Sequence, residues 1–163
     1  PHHLSDQAVV KQGDLLLMDF GCELDHYQAD ITRVVSMGPA SAKVREVYSI
    51  VREAVYAAVD AVKPGTTGAA VDNAARSVIE QAGYGDYFTH RTGHGIGIRG
   101  HESPNMSPDN LVPLEVGNVF SIEPGIYLPG QFGIRLENIY ACGDTGAHPI
   151  NKKEFEEIIL ELS

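Results

Sequence analysis

Two glutamates interrupt apolar segments in the last third of the chain. Glu123 lies in VFSIEPGIY and Glu137 lies in FGIRLENIY, and both segments have the composition of buried strands. An ionised carboxylate in such a place loses hydration worth several kcal/mol unless a cation, a partner charge or several hydrogen bonds replaces the water. We therefore expect a specific partner for each of these two carboxylates.

Two aspartates repeat the arrangement near the start of the chain. Asp19 lies in LLLMDFG and Asp30 lies in QADITRVV. A Gly-Asp pair precedes Asp19 at the same intervals at which a Gly-Asn pair precedes Glu123, and DFG at the first site matches EPG at the second. We interpret this correspondence as an internal pseudo-repeat.

Each copy of the repeat is predicted to form a hairpin that brings two acidic residues together. A turn centred near Leu24-Asp25 would place Asp19 opposite Asp30, and a turn at the glycine of LPGQ would place Glu123 opposite Glu137. Residues that face each other across an antiparallel pair have Cβ atoms roughly 5 Å apart. The sequence thus predicts one pocket with four carboxylates.

Four carboxylates in one pocket repel one another unless cations lie between them, so we predict a divalent metal site. Arg33 and Arg135 can each neutralise one charge but cannot balance all four. A carboxylate-rich site with one imidazole suits Mn²⁺, Co²⁺, Fe²⁺ or Zn²⁺. Two ions that share bridging carboxylates would explain the number of acids.

Composition, net charge and cysteine spacing limit which kinds of partner the protein can have and in which cellular compartment it is expected. The 163 residues fit one domain, 1–163, and the formal net charge of −10 argues against a nucleic acid or an anionic membrane surface as the main partner. No apolar run approaches the roughly 18 residues of a membrane span, and no signal-type segment opens the sequence. Cys22 and Cys142 are far apart and show no CxxC spacing. We expect two reduced thiols in a cytoplasmic protein.

Helices are predicted between and around the hairpins. Apolar residues recur at helical spacing from Ala40 to Val62, where Lys-Pro-Gly ends the run, and a second helix is expected between Thr67 and Gly83. The hairpin strands are GDLLLMDFG with YQADITRVVSMG, and GNVFSIEPG with FGIRLENIYAC; KKEFEEIILEL closes the chain. The two helices are expected to pack together.

Three histidines, His90, His94 and His101, lie in the glycine-rich segment HRTGHGIGIRGHESP. Its GIGIRG run fits the dinucleotide pattern GxGxxG, but no convincing strand precedes it and two prolines interrupt the helix that should follow. His90 and His94 have zincin spacing, but Arg91 stands where the glutamate should be, and the flanking glycines disfavour a helix. We expect His94 instead to approach a ligand from a loop or a strand end.

These motifs together resemble the pita-bread (creatinase/aminopeptidase) metallopeptidases, which include methionine aminopeptidase, aminopeptidase P and prolidase. The matching elements, in family order over nearly the whole chain, are MDFG with Asp19, ADITR with Asp30, TGHGIG with His94, SIEPGIY with Glu123 and RLEN with Glu137. The resemblance implies an α+β pita-bread fold, in which a curved antiparallel sheet is covered by helices. It implies that Asp19 binds one ion, that Asp30 and Glu137 bridge two, and that His94 and Glu123 bind the second.

The resemblance also implies roles in catalysis and substrate binding. Glu123 would carry a proton from the nucleophile to the leaving nitrogen, and His101 would stabilise the developing oxyanion. His90 and Arg135 would position the substrate. His2 matches a family position that lines the pocket or stabilises the reacting carbonyl, so we count it with the catalytic candidates.

The segment EPGIYLPGQFGIRLEN resembles the proline-specific branch, because Asn138 follows the last glutamate where methionine aminopeptidases usually carry a threonine-containing sequence. We therefore expect a hydrolase that cleaves Xaa-Pro bonds as a dipeptidase or an aminopeptidase, with manganese ahead of cobalt, zinc or iron. Methionine aminopeptidase and a non-catalytic peptide-binding module are the alternatives. Members of this branch have a longer catalytic domain and usually a separate N-terminal domain, which helps to cap the active site or to form the dimer. We accordingly expect a missing N-terminal part, weak activity of this chain alone and a homodimeric full-length protein.

Overall fold

The first predicted hairpin is formed by β1 (Leu15–Leu24) and β2 (Tyr27–Met37) in the computed structural model, which describes residues 1–151, 155–156 and 159–162. Asp25 and His26 connect the strands, with φ angles of 50° and 70°. Positive φ at both turn residues is typical of a type I′ turn, whose twist matches that of the paired strands.

This turn changes the register of the first hairpin. Asp19 pairs with Thr32 and Asp30 pairs with Gly21, so the prediction that the two aspartates lie directly opposite each other is wrong. The turn is centred later in the chain than expected, which moves each partner along the strand by two residues. Because side chains alternate between faces with a period of two, Asp19 and Asp30 still lie on the same face as diagonal neighbours.

The second hairpin consists of two consecutive ladders with a short interruption. Its strands are β5 (Val119–Ile122), β6 (Gly125–Leu128), β7 (Phe132–Arg135) and β8 (Asn138–Cys142). The pairing of β5 with β8 and the pairing of β6 with β7 follow the same register, as the sequence predicts. Glu123 and Glu137 both fall in the interruption, which frees their side chains from a regular ladder.

Equivalent backbone geometry at the two hairpins supports the internal pseudo-repeat. Gly13 and Gly117 have φ angles of 92° and 91°. The amide of Gly13 donates to the carbonyl of Met37 over 2.6 Å, and the amide of Gly117 donates to the carbonyl of Cys142 over 2.8 Å. Only glycine adopts this φ region without strain. The same backbone conformation therefore requires a glycine before the strand that leads to Asp19 and before the strand that leads to Glu123.

Both predicted helices are confirmed, as α1 (Ala42–Ala61) and α2 (Gly68–Gln81). The hydroxyl of Ser41 accepts a hydrogen bond from the Val44 amide over 3.2 Å, which ends the helix on its N-terminal side and explains why α1 begins later than Ala40. Thr67 caps α2 in the same way, through the Ala70 amide at 3.2 Å.

The remaining strands complete two larger sheets. They are β3 (Gly93–Gly95), β4 (Glu102–Met106), β9 (Ala147–Pro149) and β10 (Leu160–Leu162). One sheet has the order β4-β3-β5-β8-β9 with antiparallel neighbours, and the other has the order β1-β2-β10, in which β10 runs parallel to β2. Much of KKEFEEIILEL, at 152–154 and 157–158, lies outside the described residues, so the extent of a single domain over 1–163 stays a prediction.

The helices and the candidate site lie on opposite sides of the strands. The two helices pack against each other and, with the apolar strand residues, form one core. Ile134 and Leu136 belong to this core, whereas the alternate residues Arg135 and Glu137 face the other side. Among the described residues, neither helix is both long and apolar enough to cross a membrane.

Candidate metal centre

Three of the predicted ligands converge, namely the buried His94 and Glu137 and the partly exposed Asp30. A carboxylate oxygen of Asp30, a ring nitrogen of His94 and a carboxylate oxygen of Glu137 lie within 4.8 Å of one another. Asp30 comes from β2, His94 from the middle of β3, and Glu137 from the interruption before β8. An isolated backbone bridge between Thr32 and Glu137 joins the two hairpins and brings these strands into contact.

Glu123 lies on the His94 side of this group. Its Oε1 is 3.3 Å from His94 Nε2, and the Ser121 hydroxyl donates to the same oxygen over 3.0 Å. The Ser121 oxygen also accepts a hydrogen bond from the His94 amide over 3.0 Å. One hydroxyl thus fixes the glutamate relative to the histidine.

Asp19 lies at the exposed rim of the group. Its side chain is 42% exposed and contacts the guanidinium of Arg135, which is itself 2% exposed. The Asp19 charge contributes to raising the pKa of Asp30, after the larger effect of burial. Arg135 therefore balances Asp19, as predicted, and its Nε is also 3.8 Å from Glu123 Oε2.

Arg33 has a different role from the one expected. Its guanidinium donates to the main-chain carbonyls of Thr32 and Glu137, over 2.9 and 2.6 Å, and to the side chain of Asn138 over 2.7 Å. It therefore stabilises the backbone that carries Glu137. The prediction that it neutralises one of the carboxylates is not what the structure shows.

The carboxylates resist ionisation because they are buried close together. Burial, and then the charges of Glu123 and Asp30, raise the pKa of Glu137 to about 9. Burial also raises the pKa of Glu123 to about 7, against the effects of Ser121 and Arg135. Such shifts are typical of functional sites, where another positive group usually completes the charge balance.

His94 presents a free lone pair to these carboxylates. Its Nδ1 lies 3.0 Å from the Gly95 carbonyl, which can only accept, so the ring carries its proton on Nδ1 and turns Nε2 toward Asp30 and Glu123. Burial lowers the pKa of His94 to about 4 and keeps the ring neutral near pH 7. A neutral imidazole with an oriented lone pair is the form that binds metals.

The glycines around His94 are required by close packing in a strand. A Cβ on Gly93 would lie 2.0 Å from the Ser121 carbonyl oxygen, and a Cβ on Gly95 would lie 2.5 Å from the Ser103 carbonyl carbon. His90 is separated from β3 and does not share a helix with His94. The GIGIRG run begins at the end of β3, a strand that was not expected from the sequence, but a second strand, β4, and not a helix comes after it. The structure thus agrees with the rejection of the zincin and dinucleotide patterns.

The residues present fit a divalent cation. Glu137 Oε2 accepts a hydrogen bond from the buried Thr32 hydroxyl over 2.6 Å, but Glu137 Oε1 is buried and has no hydrogen-bond partner within the described part of the chain. A buried carboxylate oxygen without a donor costs on the order of 1–3 kcal/mol or more. A cation among Asp30, His94 and Glu137 would satisfy this oxygen and lower the charge repulsion.

A second polar group lies on the Arg135 side of the cluster. The Tyr127 hydroxyl is 2.8 Å from His90 Nε2 and accepts from Arg135 over 2.9 Å. His90 Nδ1 is 2.8 Å from the Arg91 carbonyl, so Nδ1 carries the proton and Nε2 accepts from Tyr127. The two predicted substrate-binding residues are therefore linked through a tyrosine that the sequence reasoning missed.

The two remaining histidine candidates lie beside this framework. The His101 ring is exposed and its centroid is 4.0 Å from that of His94. The His2 ring is exposed and its centroid is 6.4 Å from that of His90. His101 therefore lies beside His94 and the cluster of carboxylates, and His2 lies beside His90, which is bonded to Tyr127.

Sequence reasoning also missed the hydroxyl residues that orient the site. Thr32 orients Glu137, and Ser121 orients Glu123 and His94. Thr32 lies two residues after Asp30 in β2, and Ser121, near the end of β5, lies two residues before Glu123. A spacing of two places side chains on one face of an extended segment, so it is a signal that could have found them. No comparable signal marks Tyr127 beyond its place in the motif SIEPGIY.

Comparison with known proteins shows the family of the chain. The model of metallopeptidase family M24 matches residues 1–144, and the chain belongs to this family. The chain is 42% identical to an Xaa-Pro dipeptidase of Pyrococcus furiosus over 156 residues, which cover 96% of this chain and 45% of that protein. It is also 42% identical to an Xaa-Pro dipeptidase of Lactobacillus delbrueckii subsp. lactis, with 99% and 44% coverage.

Solved structures show the same fold. An X-Pro aminopeptidase from Thermotoga maritima superposes with a TM-score of 0.95 at 43% identity, over 99% of this chain and 45% of that chain. A prolidase from Pyrococcus furiosus gives a TM-score of 0.93 at 42% identity, over 95% and 46%. The α+β pita-bread fold is thereby confirmed. The chain spans less than half the length of these relatives.

Proposed function

We propose that the protein hydrolyses the peptide bond before a proline, as an Xaa-Pro dipeptidase or aminopeptidase, with the help of divalent cations. The observation that carries the metal part is the buried oxygen of Glu137, which has no hydrogen-bond partner among the described residues and lies beside Asp30 and the lone pair of His94. The substrate part is supported by the relatives at 42% identity, which are named Xaa-Pro dipeptidases.

We propose that five residues hold two cations, namely Asp19, Asp30, His94, Glu123 and Glu137. In the arrangement that the family resemblance implies, Asp30 and Glu137 would be shared between the two ions. Four oxygen donors and one imidazole fit Mn²⁺, with Co²⁺, Zn²⁺ or Fe²⁺ as further possibilities. Such ions, when bound, lower the pKa of a water molecule and polarise a carbonyl group.

Glu123 is suited to move the proton during hydrolysis. Its carboxylate lies beside the proposed metal ligands, with Oε1 3.3 Å from His94 Nε2, and a positioned carboxylate can take up and release a proton. The Ser121 hydroxyl holds Oε1 in place at 3.0 Å. The side chain is only 12% exposed, so bulk water has little access to the transferred proton.

The remaining candidates would bind and orient the peptide. Arg135 and His90 are held by the Tyr127 hydroxyl and would position the substrate. His101, an exposed ring 4.0 Å from that of His94 between centroids, would donate a hydrogen bond to the developing oxyanion. His2 lies near His90 and is proposed to contribute on the same side.

The two alternatives are not favoured by the comparisons. The relatives named above are Xaa-Pro peptidases, and no methionine aminopeptidase is among them. A binding module without catalysis does not explain why five potential ligands remain close to one site.

The two free thiols, Cys22 and Cys142, fit a cytoplasmic location. That the full-length protein is a homodimer stays a prediction, and size-exclusion chromatography would test it.

The test combines metal analysis with a peptide panel on the full-length protein. We expect cleavage of Ala-Pro after loading with Mn²⁺, little cleavage of Ala-Ala, and loss of activity with a chelator. Ala-Pro-Ala distinguishes an aminopeptidase from a dipeptidase. Cleavage of Met-Ala peptides without cleavage of Ala-Pro would support the methionine aminopeptidase alternative, and binding without hydrolysis would support the binding module.

A further inference from the structure

An ion pair on helix α2, between the partly exposed Arg76 and the buried Asp72, contacts the segment that carries His90. Asp72 is 2% exposed and binds Arg76 on the next turn, with Nε to Oδ2 at 2.9 Å and one terminal nitrogen to Oδ1 at 3.0 Å. Neither residue is one of the five proposed metal ligands. Both lie at the junction between α2 and the segment 88–92, before β3.

Arg76 uses its remaining donors on the main chain of this segment. It donates to the Phe88 carbonyl over 3.0 Å and to the His90 carbonyl over 2.9 Å. Its guanidinium also stacks on the Phe88 ring at 4.2 Å. A planar guanidinium can bind a carboxylate and two carbonyls at once, whereas the single ammonium of lysine has no such fork.

Asp72 holds the other end of the segment. Its Oδ1 accepts hydrogen bonds from the amide and the hydroxyl of Thr92, both at 2.9 Å. The Thr92 carbonyl in turn accepts from the Glu123 amide over 2.7 Å. The pair therefore ties a rigid helix to the segment at Phe88, His90 and Thr92.

The side chain of His90 depends on this backbone. Its ring packs edge-on against Phe88 at 5.2 Å and lies 5.4 Å from the Tyr127 ring, with the Nε2–hydroxyl bond already described. A main-chain shift at His90 would break this bond, since a 2.8 Å hydrogen bond tolerates little displacement.

We propose that Arg76, held in place by Asp72, is a positioning residue that presents His90 to the substrate. The kinetic part of this inference rests on the proposed function, in which His90 binds substrate. A residue that only stabilises the fold would lower the amount of active protein, and hence the apparent kcat, without a change in KM. A positioning residue would instead raise KM in the protein that remains folded.

The test compares Arg76→Lys with a matched control, Arg45→Lys, in the full-length protein. Arg45 lies on α1, is 43% exposed and contacts Glu161 and the Ala40 carbonyl, so the same substitution removes a guanidinium that lies away from His90. For Ala-Pro hydrolysis we expect Arg76→Lys to raise KM between about 5-fold and 100-fold with kcat little changed. Arg45→Lys should leave both constants near the wild-type values.

A second readout does not depend on activity. Diethylpyrocarbonate acylates neutral, accessible imidazoles, and peptide mass spectrometry localises the product. We expect His90 to react faster in Arg76→Lys than in wild type, while the exposed His148 reacts equally in both and serves as the internal reference. Should Arg76→Lys not fold, as judged by circular dichroism, Asp72→Asn takes its place with the same expected results.

The outcomes separate the two proposals. An unchanged KM, or a raised KM without faster acylation of His90, overturns the positioning role. If wild type does not cleave Xaa-Pro peptides, the proposed function fails, and the acylation of His90 alone then decides the positioning role.

Discussion

The hydrogen bond from Thr32 to Glu137 provides the most direct test of the metal centre. Thr32 is fully buried, and its hydroxyl is the only donor found for the Glu137 carboxylate within the described residues. Thr32→Val keeps the side-chain shape but leaves both carboxylate oxygens without a donor. Groups that hydrogen-bond a metal-ligating carboxylate fix its orientation, and their loss typically lowers metal affinity by about 10-fold to 100-fold. We therefore expect Mn²⁺ to bind about 10-fold to 100-fold more weakly to Thr32→Val.

The assay is a competition between the protein and a fluorescent chelator for Mn²⁺ at pH 7.5. Thr32→Ser is the matched control, because it keeps the hydroxyl and removes only a methyl group, and its affinity should stay close to that of wild type. Wild-type affinity in Thr32→Val would refute the reasoning. An equal loss in both variants would also refute it, because packing around the methyl group would then be the cause.

Three further predictions follow from the site. Glu123→Gln should lower the turnover of Ala-Pro at least about 10²-fold while metal remains bound, and near-normal turnover would exclude Glu123 from proton transfer. Tyr127→Phe removes the hydroxyl between Arg135 and His90, so KM should rise roughly 5-fold to 30-fold, and an unchanged KM would contradict the substrate role of this group. In chelator-treated protein, the free energy of unfolding should fall as the pH rises. The reason is that between pH 7 and 9 the folded state, with a Glu137 pKa raised from 4.5 to about 9, binds more protons than the unfolded chain. Urea denaturation over this range, which lies above the titration of the unfolded chain's histidines, measures the slope, and a rising curve would show that Glu137 is ionised in the metal-free fold.

Much of the fold follows from local patterns. The helical spacing of apolar residues and the proline-glycine stop predicted α1 and α2, and the caps explain the small differences at the ends. The second hairpin has its expected register because Gly130, with a φ of 71°, forms the turn where the sequence places it. The first register was missed because Asp25 and His26 adopt positive φ, which non-glycine residues seldom do.

The sequence by itself determined which acids share a face within each hairpin, because the strand period of two is a local property of the chain. The tertiary structure decided that the two hairpins and His94 meet at one site, where a backbone bridge joins Thr32 to Glu137. The tertiary structure alone decided how these groups are balanced. Arg33 binds backbone carbonyls, Arg135 pairs with Asp19, and Thr32 reaches Glu137 from a distant strand. Hydrogen bonds and ion pairs of this kind act over about 3 Å between residues far apart in the sequence, so no local pattern can specify them until the strands are assembled.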